Sequence, residues 1–179
     1  MAHIKPAWYF NVMITALDAP ANVLDADEKS FIAKIRQHGW FDTAVSGDDE
    51  GPGFSYTSGL WVNACQPEVI MFSMKREIAH DVFWDLFRDA QAGKGLEQGV
   101  QTDQVFANLP AYAFPVAKRY YREYLGWNRW LYAGDNFPCI QIVWSDREGV
   151  FPWQEGFDLT FANDQPDLTE SGWAASVSD

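Results

Sequence analysis

The sequence predicts an α+β fold, a single compact domain in which a mainly antiparallel sheet is covered by two or three helices. Three observations predict it. Short apolar or alternating runs at residues 40–45, 54–57 and 69–72 read as strands in close succession, an antiparallel meander. Two longer segments, 26–38 and 75–92, carry apolar residues at helical spacing. The 179 residues contain neither an internal repeat nor a linker, so one hydrophobic core is the expected outcome.

The elements follow in order. Residues 1–24 have mixed polarity without a sustained period and read as an N-terminal arm that adds at most an edge strand. Asp25 followed by Glu28 resembles a capping box, Phe31, Ile32 and Ile35 recur at helical spacing, and Gly39 stops the helix. Residues 40–45 suit a strand, Gly47-Asp48-Asp49-Glu50-Gly51-Pro52-Gly53 an acidic turn, and Phe54-Ser55-Tyr56-Thr57 a strand ending by Gly59 or Trp61. Val69-Ile70-Met71-Phe72 is an apolar run typical of a buried strand.

Ser73 is placed to cap the second helix, which stops at Gly93. Ile78, Ala79, Val82, Phe83, Leu86, Phe87 and Ala90 fall in one half of its wheel, and Glu77, His80, Asp81, Asp85 and Arg88 in the other. Trp84 breaks the pattern by projecting among the polar set, so another segment covers it or a partner contacts it. Residues 93–109 read as a loop with a weak strand, 111–116 as an extended segment around Pro115, 118–125 as a short helix and 139–144 as a central strand. The main domain then spans 25–160, and 161–179 is a polar C-terminal tail that frays over 171–179.

Nine Trp, seven Tyr and thirteen Phe exclude a disordered, solvating chain. A formal net charge of −12 and a pI near 4.5 repel phosphate backbones and anionic lipid, which argues against nucleic acid and membrane partners. The same field favours a basic partner, and it also serves simple solubility. The apolar stretch 8–17 is interrupted by Asn11 and is too short to cross a bilayer. With no secretory signal pattern and only Cys65 and Cys139, the expected location is the cytoplasm, with both thiols acting as small buried hydrophobes.

A set of ordered motifs then stands out: Gly39-Trp40, Gly47-Asp48-Asp49-Glu50-Gly51-Pro52, Phe54-Ser55-Tyr56-Thr57-Ser58-Gly59-Leu60, Pro67-Glu68, the Tyr-rich 118–125 helix, Gly134-Asp135-Asn136-Phe137-Pro138 and Phe151-Pro152-Trp153. Together, over about residues 38–157, they resemble the bacterial domain of unknown function 4262 (DUF4262) family. The resemblance implies a fold family and carries no established reaction to this chain. Members usually place a His before the Pro-Glu pair; Gln66 stands there, so no role resting on that His transfers.

No catalytic set and no metal site are marked. Glu77, His80 and Asp81 share a helix face, which a solvated surface also explains, and a Cys65–His80 pair has no third, orienting group in the sequence. Asp48, Asp49 and Glu50 lack the alternating ligands of a calcium loop. Basic charge concentrates beside aromatic rings in Lys118-Arg119-Tyr120-Tyr121-Arg122 and Trp127-Asn128-Arg129-Trp130.

The reading that follows is a non-enzymatic interaction protein, a bacterial antitoxin or immunity protein binding a basic partner through Asp48, Asp49, Glu50, Trp84, Trp127 and Trp130. The alternative is a flavin- or nucleotide-binding domain, even an oxidoreductase, with Tyr56, Arg119, Arg122 and Arg129 around the ligand. A homo-oligomer with Trp84 in its self-interface is the third possibility.

Overall fold

The computed structural model describes residues 15–178. Of the expected N-terminal arm, residues 1–14 lie outside the described residues, and 15–24 form two 3-10 turns, Ala16–Asp18 and Ala21–Val23. Six strands form one mixed sheet: β1 Phe41–Val45, β2 Phe54–Ser58, β3 Glu68–Phe72, β4 Gln101–Thr102, β5 Ala111–Pro115 and β6 Cys139–Trp144. Their order is β1-β2-β3-β6-β5-β4. Four of the five pairings are antiparallel, including the β1-β2-β3 meander, and only β3 and β6 run parallel. A parallel neighbour requires a long crossover, which residues 73–138 supply.

The helices are α1 Ala26–His38, α2 Leu60–Ala64, α3 Arg76–Gln91, α4 Tyr121–Tyr124, α5 Gly126–Leu131 and α6 Trp173–Ser176. The Asp25–Glu28 capping box opens α1, and Gly39 closes it in the left-handed region at φ 85°. A Cβ at Gly39 would also stand 2.6 Å from the Phe87 ring, so packing and backbone both require glycine there. Because strand side chains alternate, Ile70 and Phe72 face α1, α4 and α5, where Phe31, Ile32, Ile35, Tyr121, Leu125 and Leu131 are buried. Val69 and Met71 face the other way, onto Ala79, Val82, Phe83 and Phe87 of α3. A third cluster joins Tyr112, Phe114 and Val143 to Phe151 and Trp173. Each large side chain enclosed this way contributes about 1.5–3 kcal/mol.

Several local expectations change. Ser73 does not cap α3; it sits at φ 51° and its hydroxyl donates to the Asp164 carbonyl at 2.8 Å, while Lys75 takes the N-cap position without a side-chain bond. Ile78 lies at the margin of the apolar arc and is 43% exposed. Cys139 is buried as expected, but Cys65 lies at the surface where α2 ends. The C-terminal segment is anchored rather than frayed: Leu168 and Trp173 are buried, and the Ser178 N–H donates to the Gly99 carbonyl at 2.8 Å. Its few apolar residues, though scattered among polar ones, close two of the three clusters.

Candidate functional site

A groove of about 640 Å³ runs between α1 and α3 across the start of β1. Three short sequence patterns build it. Lys34 and His38 stand one turn apart on α1; Arg76, His80 and Trp84 occupy successive turns of one stripe of α3; and Trp40, Phe41 and Asp42 lead into β1 as the floor. Asp81 completes the rim. Both histidines among the described residues line this one groove.

Strand alternation turns Phe41 toward α1 and Asp42 toward α3. The Asp42 side chain is only 8% exposed, and one of its oxygens lies 3.1 Å from His80 Nδ1. Nδ1–H donates to that carboxylate, and the imidazole is half exposed. The imidazole stacks on Trp40 at 5.4 Å and Trp40 meets Trp84 at 6.1 Å, so the buried Trp40 backs the two more exposed rings. Lys34 holds its ammonium 4.3 Å from the Phe41 ring. The Trp40 indole N–H is buried with no acceptor, a state that costs about 1–3 kcal/mol.

Asp48, Asp49 and Glu50 form the exposed tip of the β1–β2 hairpin, where the Asp48 carboxylate accepts the Glu50 N–H at 2.8 Å. This tip lies beyond the far end of β1 from the groove, so the acidic turn and Trp84 do not form one patch. Trp127 and Trp130 are partly buried; Trp127 stacks on Phe31 at 4.7 Å and Trp130 meets its edge at 6.0 Å, which ties α5 to α1. Tyr56 is buried, its hydroxyl accepts the Trp127 N–H at 3.4 Å, and burial raises its pKa. Arg119 pairs with Glu170 at 2.6 Å and donates to the Thr169 and Glu170 carbonyls. Arg129 pairs with Asp135 at 2.5 Å, and Arg122 is exposed on α4. None of these four lines the groove. His80 turns to Asp42 rather than joining Glu77 and Asp81, and among the described residues no group of three or more His, Cys, Asp or Glu is arranged to hold a metal.

A second polar centre lies inside the protein. Glu68 is fully buried and accepts five hydrogen bonds: from the Thr57 hydroxyl at 2.7 Å, the N–H groups of Gly59, Leu60 and Trp61 at 2.8, 3.3 and 3.3 Å, and the Tyr132 hydroxyl. Asn128 extends the network by donating to the Thr57 carbonyl at 2.9 Å and accepting from the Ser58 hydroxyl. The Thr57-Ser58-Gly59-Leu60 and Pro67-Glu68 motifs therefore converge on one carboxylate. It satisfies the first N–H groups of α2, fastens β2 to β3 and reaches α5 and Tyr132. With both oxygens occupied by protein donors, this carboxylate holds the fold together and is not offered to a ligand.

The sequence pointed to Trp84 and missed Lys34, His38, Asp42 and Arg76. The available signal was the three-turn stripe of α3, together with the two turns of α1 that end at Gly39-Trp40.

Among the described residues, no helix is long and apolar enough to cross a membrane. Neither a curated protein nor a solved structure matches the chain. The family model for the domain of unknown function DUF4262 matches residues 34–158, more than half of the chain and the whole span from the α1 end of the groove through β6, and the chain belongs to that family.

Proposed function

We propose that the protein is a non-enzymatic interaction protein of the bacterial cytoplasm, an antitoxin or immunity protein whose α3 outer face receives a basic partner. One observation carries this reading: Trp84, 42% exposed, stands on that face with the 43% exposed Ile78 and the carboxylates of Glu77 and Asp81, while Asp85 is paired with Arg88. A half-exposed aromatic anchor bordered by acid suits a partner whose basic groups are steered by the −12 net charge. The acidic hairpin tip of Asp48, Asp49 and Glu50 adds to that field without sharing the contact.

Native mass spectrometry of the protein, purified gently from its own host, tests the reading. A stoichiometric adduct with a basic protein that Trp84→Ala abolishes is the expected result. Bare monomer, or an adduct indifferent to Trp84→Ala, refutes it, and an adduct with a second copy of the chain makes Trp84 a self-interface instead.

The small-molecule alternative is supported by the size of the groove, which falls within the range of about 300–1,000 Å³ typical of ligand pockets. In that case the ligand lies against His80 and Trp84 rather than among Tyr56, Arg119, Arg122 and Arg129. A visible absorption band on the purified protein would identify a flavin.

A further inference from the structure

We infer that the α1–β1–α3 groove binds a small zwitterion, a molecule carrying an ammonium and a carboxylate on an aromatic or apolar body, such as an aromatic amino acid. This goes beyond the interaction reading, because it needs no partner protein.

Charge narrows the ligand class first. In a chain of net charge −12, the groove holds two permanent cations, Lys34 and Arg76, against two carboxylates, Asp42 and Asp81. These four charges cancel. A polyanion such as a nucleotide phosphate would be set against Asp42 and Asp81, and a polycation against Lys34 and Arg76. A ligand with one charge of each sign meets neither penalty.

Placement narrows it further. Asp42 sits on the floor, more than nine-tenths buried, with His80 engaging only one of its oxygens. The second oxygen accepts an ammonium, a charge-assisted bond stronger than a neutral one. Lys34, His38 and Arg76 are all exposed at the rim, where they meet a carboxylate. Between floor and rim stand the half-exposed rings of His80 and Trp84, both backed by the buried Trp40, and these suit an aromatic body and, at Trp84, attract an ammonium above the ring.

Isothermal titration of the purified chain with three probes tests the inference: L-phenylalanine, 2-phenylethylamine, which lacks the carboxylate, and 3-phenylpropionate, which lacks the ammonium. L-phenylalanine is expected to bind about tenfold or more tighter than either truncated probe. Asp42→Asn is expected to weaken L-phenylalanine and 2-phenylethylamine about tenfold while sparing 3-phenylpropionate. The double change Lys34→Ala and Arg76→Ala, confined to exposed rim residues, should do the reverse, weakening L-phenylalanine and 3-phenylpropionate alone. It serves as the deciding variant if circular dichroism shows Asp42→Asn to be unfolded. The inference is overturned if L-phenylalanine gives no saturable heat at millimolar concentration, if it binds no tighter than both truncated probes, or if the folded variants leave the ranking unchanged. The titration uses the chain alone, so its failure leaves the partner-protein reading standing, and loss of that reading leaves the titration interpretable.

Discussion

Replacing Glu68 tests whether one buried carboxylate holds three elements together. Glu68→Gln conserves shape but keeps only one acceptor oxygen. With that oxygen toward Gly59, Trp61 and Tyr132, the amide NH2 faces the Thr57 hydroxyl and the Leu60 N–H. The hydroxyl can rotate, but the Leu60 N–H loses its acceptor in a buried site, at about 1–3 kcal/mol. Glu68→Ala strips all five donors and opens a cavity, so about 3–5 kcal/mol is expected. Urea unfolding followed by tryptophan fluorescence reads both; with a slope of about 1–3 kcal/mol per molar, the Ala variant should lower the midpoint by roughly 2 M.

The pH dependence of the same pair supplies a sign. Burial raises the Glu68 pKa, and the bonds from Tyr132, Thr57, Gly59 and Trp61 oppose the shift only in part. A carboxyl raised in the folded state contributes stability that is fully present below its unfolded value, about 4.3, and is lost as pH rises through the higher folded value. Gln does not titrate, so the advantage of wild type over Glu68→Gln should shrink as pH rises above about 4. An advantage that grows with pH would mean that the five donors outweigh burial. A Glu68→Ala midpoint equal to wild type would remove the network from the account of stability altogether.

Three further outcomes are expected. Gly59→Ala should lower the melting temperature sharply, because Gly59 sits at φ 111° and a Cβ there would lie 2.8 Å from the Gly39 carbonyl. The backbone alone costs about 1–3 kcal/mol, and an unchanged melt would refute the assigned geometry. Leu168→Ala should cost about 2–5 kcal/mol in urea, since Leu168 is buried in the α1-side core; a loss below about 0.5 kcal/mol would restore a frayed tail. Asp25→Ala removes the cap on the Glu28 N–H, made at 2.9 Å, and should cost about 1 kcal/mol by the same assay.

The parts of the fold legible in sequence are those whose hydrogen bonds close within a few residues. The capping box and Gly39 bound α1 because cap, turn and stop lie within one short segment. The two central strands were readable because both of their faces are buried, which leaves a run of apolar residues rather than an alternation. The small helices α2, α5 and α6 were not, because none of them has a side-chain cap. The start of α2 is satisfied by Glu68, which follows it in the chain, and α5 is held by Asn128, whose partners lie 70 and 71 positions away. Of the candidate site, Trp84 showed itself by standing on the wrong side of an amphipathic wheel. Asp42 gave no such sign, because a single acid in a short strand looks solvent-facing until α3 is laid over it.

The sequence by itself determined the class of fold, the antiparallel meander, the two long helices and the acidic field, all of which follow from composition and from periods of two and 3.6 residues. Only the tertiary structure decided that β6 returns parallel to β3, that the family motifs enclose Glu68, and that Lys34, His38, Asp42, Arg76, His80 and Trp84 share one groove. The physical reason is that periodicity states which face of an element must be covered, whereas the choice of cover rests on packing between residues far apart in the chain. Tyr132 and Glu68 are separated by 64 positions and His80 and Asp42 by 38. The first pairing needs the crossover segment laid against β3, and the second needs α3 packed over β1.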